Sequence, residues 1–447
     1  MIEQNLKTVD SVHWEERCSS AELPKCCSQN GLVEKPLTFI DLFAGCGGLS
    51  LGLLSAGWEG MFAIEKSNDA FSTLRHNLIG KRRARFSWPK WLPTESMTTF
   101  DLIENYRDQL VGLRGEVDLI AGGPPCQGFS FAGRRRENDP RNSLKNEYVQ
   151  IVDLVRPKYL LFENVKGFSA AFKNSNKQAH SEQVQNSLEN LGWGGYRVFT
   201  QVLKASSFGV PQPRARFILI AIRKDIWSSS KDIGPFSDID SFCEEFKVSK
   251  KLNSHIISVS EAISDLEVKR CGETDSKDTS GFSEIAFKPG NSKTAFQKLM
   301  RKGLRKNAVP NSLRLAKHRP STLSRFIDIL ENCPKGSSLP KEVREKYGMK
   351  KQCFTPLHPE QLSKTITTLP DDLLHYSEPR ILTVRESARI QSFPDWFEFQ
   401  GKYTTGGARR REECPRYTQV GNAVPPLMAE ALGEKLIKLD QVLCDER

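Results

Sequence analysis

No two of the eleven cysteines in this 447-residue chain stand at Cys-x-x-Cys spacing, and their number is odd. Those absences argue against a disulfide framework and a cysteine-rich zinc site, and for a reducing compartment. Cys18, Cys26 and Cys27 fall in residues 1–35, which mix charge with Ser and Gln and lack the apolar core of a secretory signal, so that stretch reads as an extension. Nowhere does an uninterrupted apolar run reach the roughly 18 residues that a membrane-spanning helix needs. A soluble, cytoplasmic protein with no membrane partner is the expectation. Carboxylates are missing in one place: residues 285–327 hold eleven Lys and Arg and no Asp or Glu, after twelve acidic and six basic residues over 232–284. With a formal net charge of +11 the balance suits a polyanionic partner, although a basic run is often only a solvated face.

What is present is a repeating pattern of strand, turn and helix. Leu37 to Phe43 reads as a strand running into Ala44-Gly45-Cys46-Gly47-Gly48, after which Leu49, Leu51, Leu53 and Leu54 suggest a helix. Glycines let a ligand approach the backbone closely, and a helix N-terminus offers unpaired N–H groups. Met61 to Glu65 is a second strand, ending in a carboxylate twenty residues after Gly45, where an acid is placed to accept hydrogen bonds from ribose hydroxyls. Ser50 stands where the third glycine of the dinucleotide fingerprint would be, so the ligand reads as nucleoside-like and not clearly NAD. A further apolar run, Val117 to Ala121, leads into Gly122-Gly123-Pro124-Pro125-Cys126-Gln127-Gly128-Phe129-Ser130. The glycines and prolines make a stiff loop beyond a strand's carboxyl end, where open α/β sheets bind ligands, and the loop presents Cys126. Arg134, Arg135 and Arg136 follow, and nearby positive charge favours a nucleophilic thiolate.

A helix from Leu144 ends at Pro157, and Tyr159-Leu160-Leu161-Phe162 is a buried strand that delivers Glu163-Asn164-Val165 to the same sheet edge. Tyr196 to Leu203 and Phe217 to Ile222 read as strands, and alternation sets Gln212, Arg214 and Arg216 on one side of the second. Residues 81–91 interleave five basic residues with three aromatics, a mixture that suits base stacking or, equally, a solvated loop with aromatics tucked beneath. From about 225 to 365 the βα rhythm is lost, and an irregular second domain is expected. The rhythm returns at Leu382 to Gln391, a helix with Thr383 as N-cap and Glu386 closing a capping box. A last helix is expected to start at Gln419 to Pro426 and run to about Leu439, with Pro425 and Pro426 in its first turn.

Six motifs in this order resemble the DNA cytosine-5 methyltransferase family: Phe39 to Gly48, Pro125 to Ser130 around Cys126, Glu163-Asn164-Val165, Gln212 to Arg216, Arg385 to Asp395, and Gln419 to Pro426. The resemblance implies an α/β, Rossmann-like sheet domain that binds S-adenosyl-L-methionine and no metal, with a smaller target-recognition domain inserted before the C-terminal motifs. The corresponding parts are an extension 1–35, a cofactor-binding and catalytic part 36–224, a recognition domain 225–375 and a C-terminal part of the catalytic domain 376–447. It also implies double-stranded DNA as the partner, a bacterial restriction-modification setting with a separately acting endonuclease, and a monomer in the cytoplasm, associated with the nucleoid through DNA. In the implied chemistry Cys126 adds to C6 of a flipped-out cytosine, protonated Glu163 donates to N3, Asn164 orients that region, and Arg214 and Arg216 hold the base oxygen and neighbouring phosphates. Glu163 would need a carboxyl pKa raised by burial. The implied cofactor pocket has Phe43 on the adenine and Glu65 on the ribose, with Ala44, Gly45, Cys46, Gly47, Gly48 and Leu49 of the loop, and is completed by Pro125, Leu144, Asn422 and Val424. One departure is Thr98, which stands where the family has an aspartate that contacts the adenine.

The nearest rival is a transfer-RNA cytosine methyltransferase, since Cys353-Phe354-Thr355 matches a short signature of that branch; Thr365-Ile366-Thr367 and the long basic region favour a DNA enzyme. A catalytically silent DNA-binding regulator is a second rival, and intact Cys126, Glu163 and Arg216 argue against it. A nicotinamide oxidoreductase is weaker, with Ser50 in place of the third glycine.

Overall fold

The apolar runs become strands because both of their faces are covered. In the computed structural model, which describes residues 35–79, 85–125, 144–169, 179–227, 234–252, 255–349, 351, 353–405, 409 and 412–445, the chain from Pro36 onward packs as one compact unit. Its first half runs β1 (Thr38–Leu42), α1 (Gly48–Ala56), β2 (Glu59–Ile64), α2 (Asn68–Leu74), α3 (Thr99–Asn105), α4 (Arg107–Gly112), β3 (Leu119–Gly122), α5 (Leu144–Val155), β4 (Tyr159–Val165), α6 (His180–Glu189), β5 (Tyr196–Lys204) and β6 (Ala215–Arg223). The strands form one sheet in the order β2-β1-β3-β4-β6-β5, with β1 to β4 parallel and β6 antiparallel to both neighbours. Phe39, Ala121, Leu161 and Ile218 pack into one layer, Ile40, Ile120, Leu160 and Leu219 into the other, which is why these strands lack polar alternation. The chain leaves β1 toward β2 on one side and β3 lies on the other, so the crevice beyond the carboxyl ends of β1 and β3 is a topological switch point.

The aromatics of residues 81–91 belong to the core. Phe86 lies edge-on to Phe39 at 5.6 Å between ring centroids, and Trp91 meets Phe62 at 5.8 Å and Tyr106 at 5.6 Å. They are not a stacking surface for bases, and residues 81–84 lie outside the described ones, as do residues 1–34.

Where the βα rhythm stops, the elements turn short: α7 (Ile239–Ser249), α8 (Val259–Ile263), α9 (Val268–Cys271), the hairpin β7 (Glu273–Asp275) and β8 (Ser283–Ile285), α10 (Ala295–Arg301), α11 (Pro320–Asn332), α12 (Lys341–Lys346), β9 (Thr355–Pro356) and β10 (Leu373–Leu374). α7, α8 and α10 pack on the main core through Phe242, Val259 and Phe296, and two small apolar clusters lie beyond them, one of Leu266, Ile285, Phe287 and Leu313, the other of Phe326, Ile329, Leu339, Phe354 and Leu374. Phe354 and Thr355 are therefore packing residues, Thr355 bonded to Ser338 at 3.0 Å. The acid-free run is not uniformly open. Arg301 lies 3.5 Å from Asp395 and over the ring of Phe287, and Arg314 is held between Phe282 and Tyr403, whereas Lys302, Arg305 and Lys306 are exposed.

The expected capping box opens α13 (Val384–Ile390): Glu386 N–H donates to Thr383 Oγ1 at 3.1 Å, and Thr383 N–H to the Glu386 carboxylate at 2.7 Å. The last segment departs from expectation. In place of one helix from Gln419, α14 (Arg416–Asn422) stops and α15 (Pro426–Asp445) begins after Ala423-Val424-Pro425, because a residue before proline disfavours the helical region. α15 then lies close on α1, where a Cβ at Gly52 would fall 2.4 Å from that of Ala429.

Ser50, the residue that breaks the glycine fingerprint, has a partner that explains it. Its hydroxyl donates to Asp41 Oδ2 at 2.5 Å inside β1, while Oδ1 meets no hydrogen-bond donor among the described residues. Burial pushes the Asp41 carboxyl up from 3.8 to about 7. Between those two values the native chain holds a proton that the unfolded chain has lost, so stability falls as pH rises through the window and stays at the lower level above it. Asp41→Asn keeps the shape and the Ser50 bond without the charge. We expect it to raise the melting temperature by about 2–4 °C at pH 8 and hardly at all at pH 4; thermal melts at the two pH values check this, and an equal shift at both would contradict it.

Candidate active site

β6 runs antiparallel to β4, so its first residues lie at the edge where β4 ends. The register pairs Val165 with Arg216 and Glu163 with Ile218, which sets Glu163 and Arg216 on a diagonal of one face. Arg216 Nε is 2.6 Å from Glu163 Oε1, with both side chains largely buried. A Cβ at Gly123 would come 3.1 Å from Glu163 Oε2, so the glycine leaves room for the carboxylate. Burial alone therefore does not describe the setting of Glu163, which has a guanidinium against it. Asn164, one step along the strand, points the other way. It is 2 % exposed, donates Nδ2 to Pro124 O at 3.1 Å, and accepts the Val165 N–H at 2.9 Å. Asn164 thus ties β4 to the loop two residues before Cys126. Cys126 itself, with Arg134, Arg135 and Arg136, lies outside the described residues.

The crevice at β1 is built from left-handed steps. Phe43 (φ 61°), Gly45 (φ 57°) and Gly47 (φ 93°) adopt them, and at Phe43 the conformation is strained because the residue carries a Cβ. Glu65 holds the turn open: Gly45 N–H donates to its Oε2 at 3.0 Å and Ser67 N–H to its Oε1 at 2.7 Å. Burial raises its pKa against the pull of those bonds. Met97, which nothing in the sequence singled out, donates its N–H to Glu65 O at 2.9 Å. A Cβ at Gly45 would meet nothing within 4 Å, whereas one at Gly48 would lie 2.4 Å from Val424 O. The loop therefore faces open space on one side and the α14–α15 connection on the other. A half-buried carboxylate just past the end of β2, bare glycine backbone and the Phe43 ring fit a nucleoside-bearing ligand.

Not every expected pocket residue offers its side chain. Ala44, Cys46 and Leu49 are buried in the core, Cys46 with its Sγ 3.6 Å from Gln419 O. Asn422 is exposed at the end of α14, Val424 is buried in the connection, and the partly exposed Pro125 and Leu144 flank the undescribed residues 126–143. Thr98 caps α3, its hydroxyl donating to Asp101 Oδ2 at 2.7 Å and accepting Asp101 N–H at 3.0 Å, which commits it away from an adenine.

Arg214 requires a correction. It is 2 % exposed, and Nη1 donates to Ile366 O at 3.1 Å while Nη2 donates to Gly421 O and Ala423 O, each at 2.9 Å. A guanidinium held by three main-chain carbonyls is a brace, not a clamp on a base or a phosphate. The sequence pattern missed this because Gln212 and Arg214 precede β6, whose first residue is Ala215, so strand alternation does not govern them. Among the described residues no group of His, Cys, Asp or Glu is arranged to hold a metal ion, and no helix is long and apolar enough to cross a membrane.

The sequence pattern of the family described as C-5 cytosine-specific DNA methylase matches residues 37–438. The type II methyltransferase M.DdeI of Desulfomicrobium norvegicum is 32% identical over 414 residues, 90% of this chain and 88% of its own length. M.XorII of Xanthomonas oryzae is 30% identical over 413 residues, 89% of this chain and 84% of its own. Among solved structures, a putative DNA modification methyltransferase encoded within an E. coli prophage superposes with a TM-score of 0.60 at 25% identity, over 91% of this chain and 99% of that one. The S. pombe Dnmt2 methyltransferase shares the fold, with a TM-score of 0.50 at 17% identity over 90% of this chain and 97% of that one. The match begins before β1 and ends inside α15, so it takes in the Phe43 loop, the Pro124 loop, Glu163, Arg216 and the α14–α15 connection alike: the chain belongs to the C-5 cytosine-specific DNA methylase family.

Proposed function

We propose that Cys126, Glu163, Asn164 and Arg216 carry the methyl transfer of this DNA (cytosine-5-)-methyltransferase, and that Phe43, Gly45, Gly48, Glu65, Met97, Asn422 and Val424 border the methyl donor. The family's donor is S-adenosylmethionine, which when bound supplies an electrophilic methyl carbon. The observation that carries this reading is the Glu163–Arg216 pair at 2.6 Å, on the edge to which Asn164 ties the Cys126 loop. Cys126 as thiolate adds to C6 of the cytosine, and the electron pair displaced toward N3 is met by a proton from Glu163. Arg216 holds the base oxygen, and C5, made electron-rich by the addition, accepts the methyl. Solvent water takes the C5 proton, its C–H electron pair re-forms the C5–C6 double bond as Cys126 leaves as thiolate, and the N3 proton returns to Glu163, which restores both partners. The base must leave the duplex to reach this edge. The named relatives are type II methyltransferases, which supports a modification enzyme, and we read it as a cytoplasmic monomer acting beside a separate endonuclease.

In Cys126→Ala, binding of the methyl donor is expected to survive while methyl transfer is lost, and near-wild-type turnover would refute the mechanism. Duplex carrying 5-fluorocytosine should trap the wild-type chain covalently, and mass spectrometry should place the link on Cys126. Glu163→Gln keeps a hydrogen-bond donor but cannot transfer a proton. A loss of about 100-fold or more in turnover, with duplex affinity within threefold, is expected; loss of affinity with turnover kept would make Glu163 structural. Replacing the exposed Lys302, Arg305 and Lys306 by glutamine should flatten the slope of log affinity against log salt by up to about three units, alike on target and non-target duplexes. An unchanged slope would make them a solvated face.

A further inference from the structure

Two side chains at the entry to β6 take hold of three other stretches of chain. Gln212 Oε1 accepts the Ile366 N–H at 3.0 Å, and its Nε2 donates to Ile390 O at 2.9 Å and Gln391 Oε1 at 2.8 Å. Arg214 takes the carbonyl of the same Ile366 with Nη1, and Gly421 O and Ala423 O with Nη2. Gln391 continues the set by donating to Val420 O at 2.7 Å. From the opposite side a Cβ at Gly421 would fall 2.3 Å from Thr367 O, so the last turn of α14 lies directly on residues 366–367. Except for that of Ile366, the main-chain carbonyls that accept these bonds are ones that a helix leaves without partners where it stops, and a planar guanidinium presents donors in fixed directions that can answer several at once.

We propose that Arg214 is a positioning residue that couples the methyl-donor site to the DNA-recognition region without touching the base. The proposal rests on the reading that Asn422 and Val424 border the donor and that residues 225–375 read DNA. Gly421 O and Ala423 O flank Asn422, so a ligand that orders Asn422 to Val424 acts on the guanidinium from one side. On the other side stands Ile366, gripped at both its N–H and its C=O. Thr367 follows, its hydroxyl donating to Asp372 Oδ2 at 2.6 Å immediately before β10, which pairs with β9 inside the recognition region. Gln212 is fully buried and Arg214 is 2 % exposed, so neither end of the joint is softened by solvent. Ordering of one end by its ligand then leaves less to be ordered at the other, and the two ligands favour each other by the same factor.

The test is calorimetric binding of S-adenosylhomocysteine, the demethylated donor, to the whole chain with and without saturating duplex that carries the chain's own methylation site. The wild type is expected to bind it about fivefold or more tightly in the presence of duplex. Arg214→Lys keeps the charge and loses the fork. We expect its affinity ratio to fall close to one, KM for both substrates to rise about tenfold, and kcat at saturation to stay within about threefold. A ratio retained in Arg214→Lys overturns the proposal, as does a hundredfold loss of kcat at unchanged KM, the mark of a residue that touches the reacting base. Should Arg214→Lys fail to fold, Gly421→Ala presses on the same joint from the α14 side and must lower the ratio; an unchanged ratio there overturns the proposal. Wild type that binds both ligands with no mutual effect sinks the coupling alone, whereas wild type that binds neither sinks the functional reading and the coupling with it.

Discussion

A helix that ends between the buried Val420 and the buried Ala423 leaves carbonyl oxygens that need donors from within the protein, and the rest of the site depends on how they are answered. Each such group left alone would cost about 1–3 kcal/mol, and Arg214 and Gln391 supply the donors for Val420, Gly421 and Ala423. That fixes the path of Ala423-Val424-Pro425. Val424 O comes to rest where only a glycine at 48 can face it, and the crevice beyond β1 gains its wall.

Strand direction does the corresponding work for the chemistry. Parallel strands gather at one edge only the residues at and just past their carboxyl ends, here the Phe43 loop, the Pro124 loop and Glu163. Arg216 stands near the beginning of its strand. It reaches the same edge because β6 alone among the inner strands runs the other way. The reversal puts a cation diagonal to Glu163, a placement that no further parallel unit would have given it.

Buried charge fixes how the irregular region of short elements is seated. Arg389 is fully buried and bridges Asp265 of that region to Asp395, with contacts of 2.7 Å to each, while Arg385 reaches Asn311. Removing one member of such a set leaves an unpaired buried charge, at a cost of about 3–5 kcal/mol, although a well-packed apolar replacement of the whole set can be neutral. The pattern therefore favours one docking of the two parts over its alternatives. Arg301 joins it through Asp395, which withdraws that residue from the open basic surface.

Features that depend on near neighbours were legible in the sequence. Apolar runs gave strands, Pro157 ended α5, and Thr383 with Glu386 opened α13, since hydrophobic period, proline geometry and capping act over a few residues. The alignment of motifs carried Glu163 and Arg216 to one place, and the structure joins them. Features that depend on partners far along the chain were fixed by tertiary structure. Ser50 looked like a flaw in a fingerprint until Asp41 lay beneath it, Arg214 looked like a substrate ligand until Ile366, Gly421 and Ala423 turned their carbonyls to it, and Arg301 was one of eleven basic residues in an acid-free run until Asp395 met it. A side chain's type sets which bonds it can make. Which atoms stand within 3 Å of it is settled only when the chain has folded back, because backbone preference is local and the partners of a buried polar group are not.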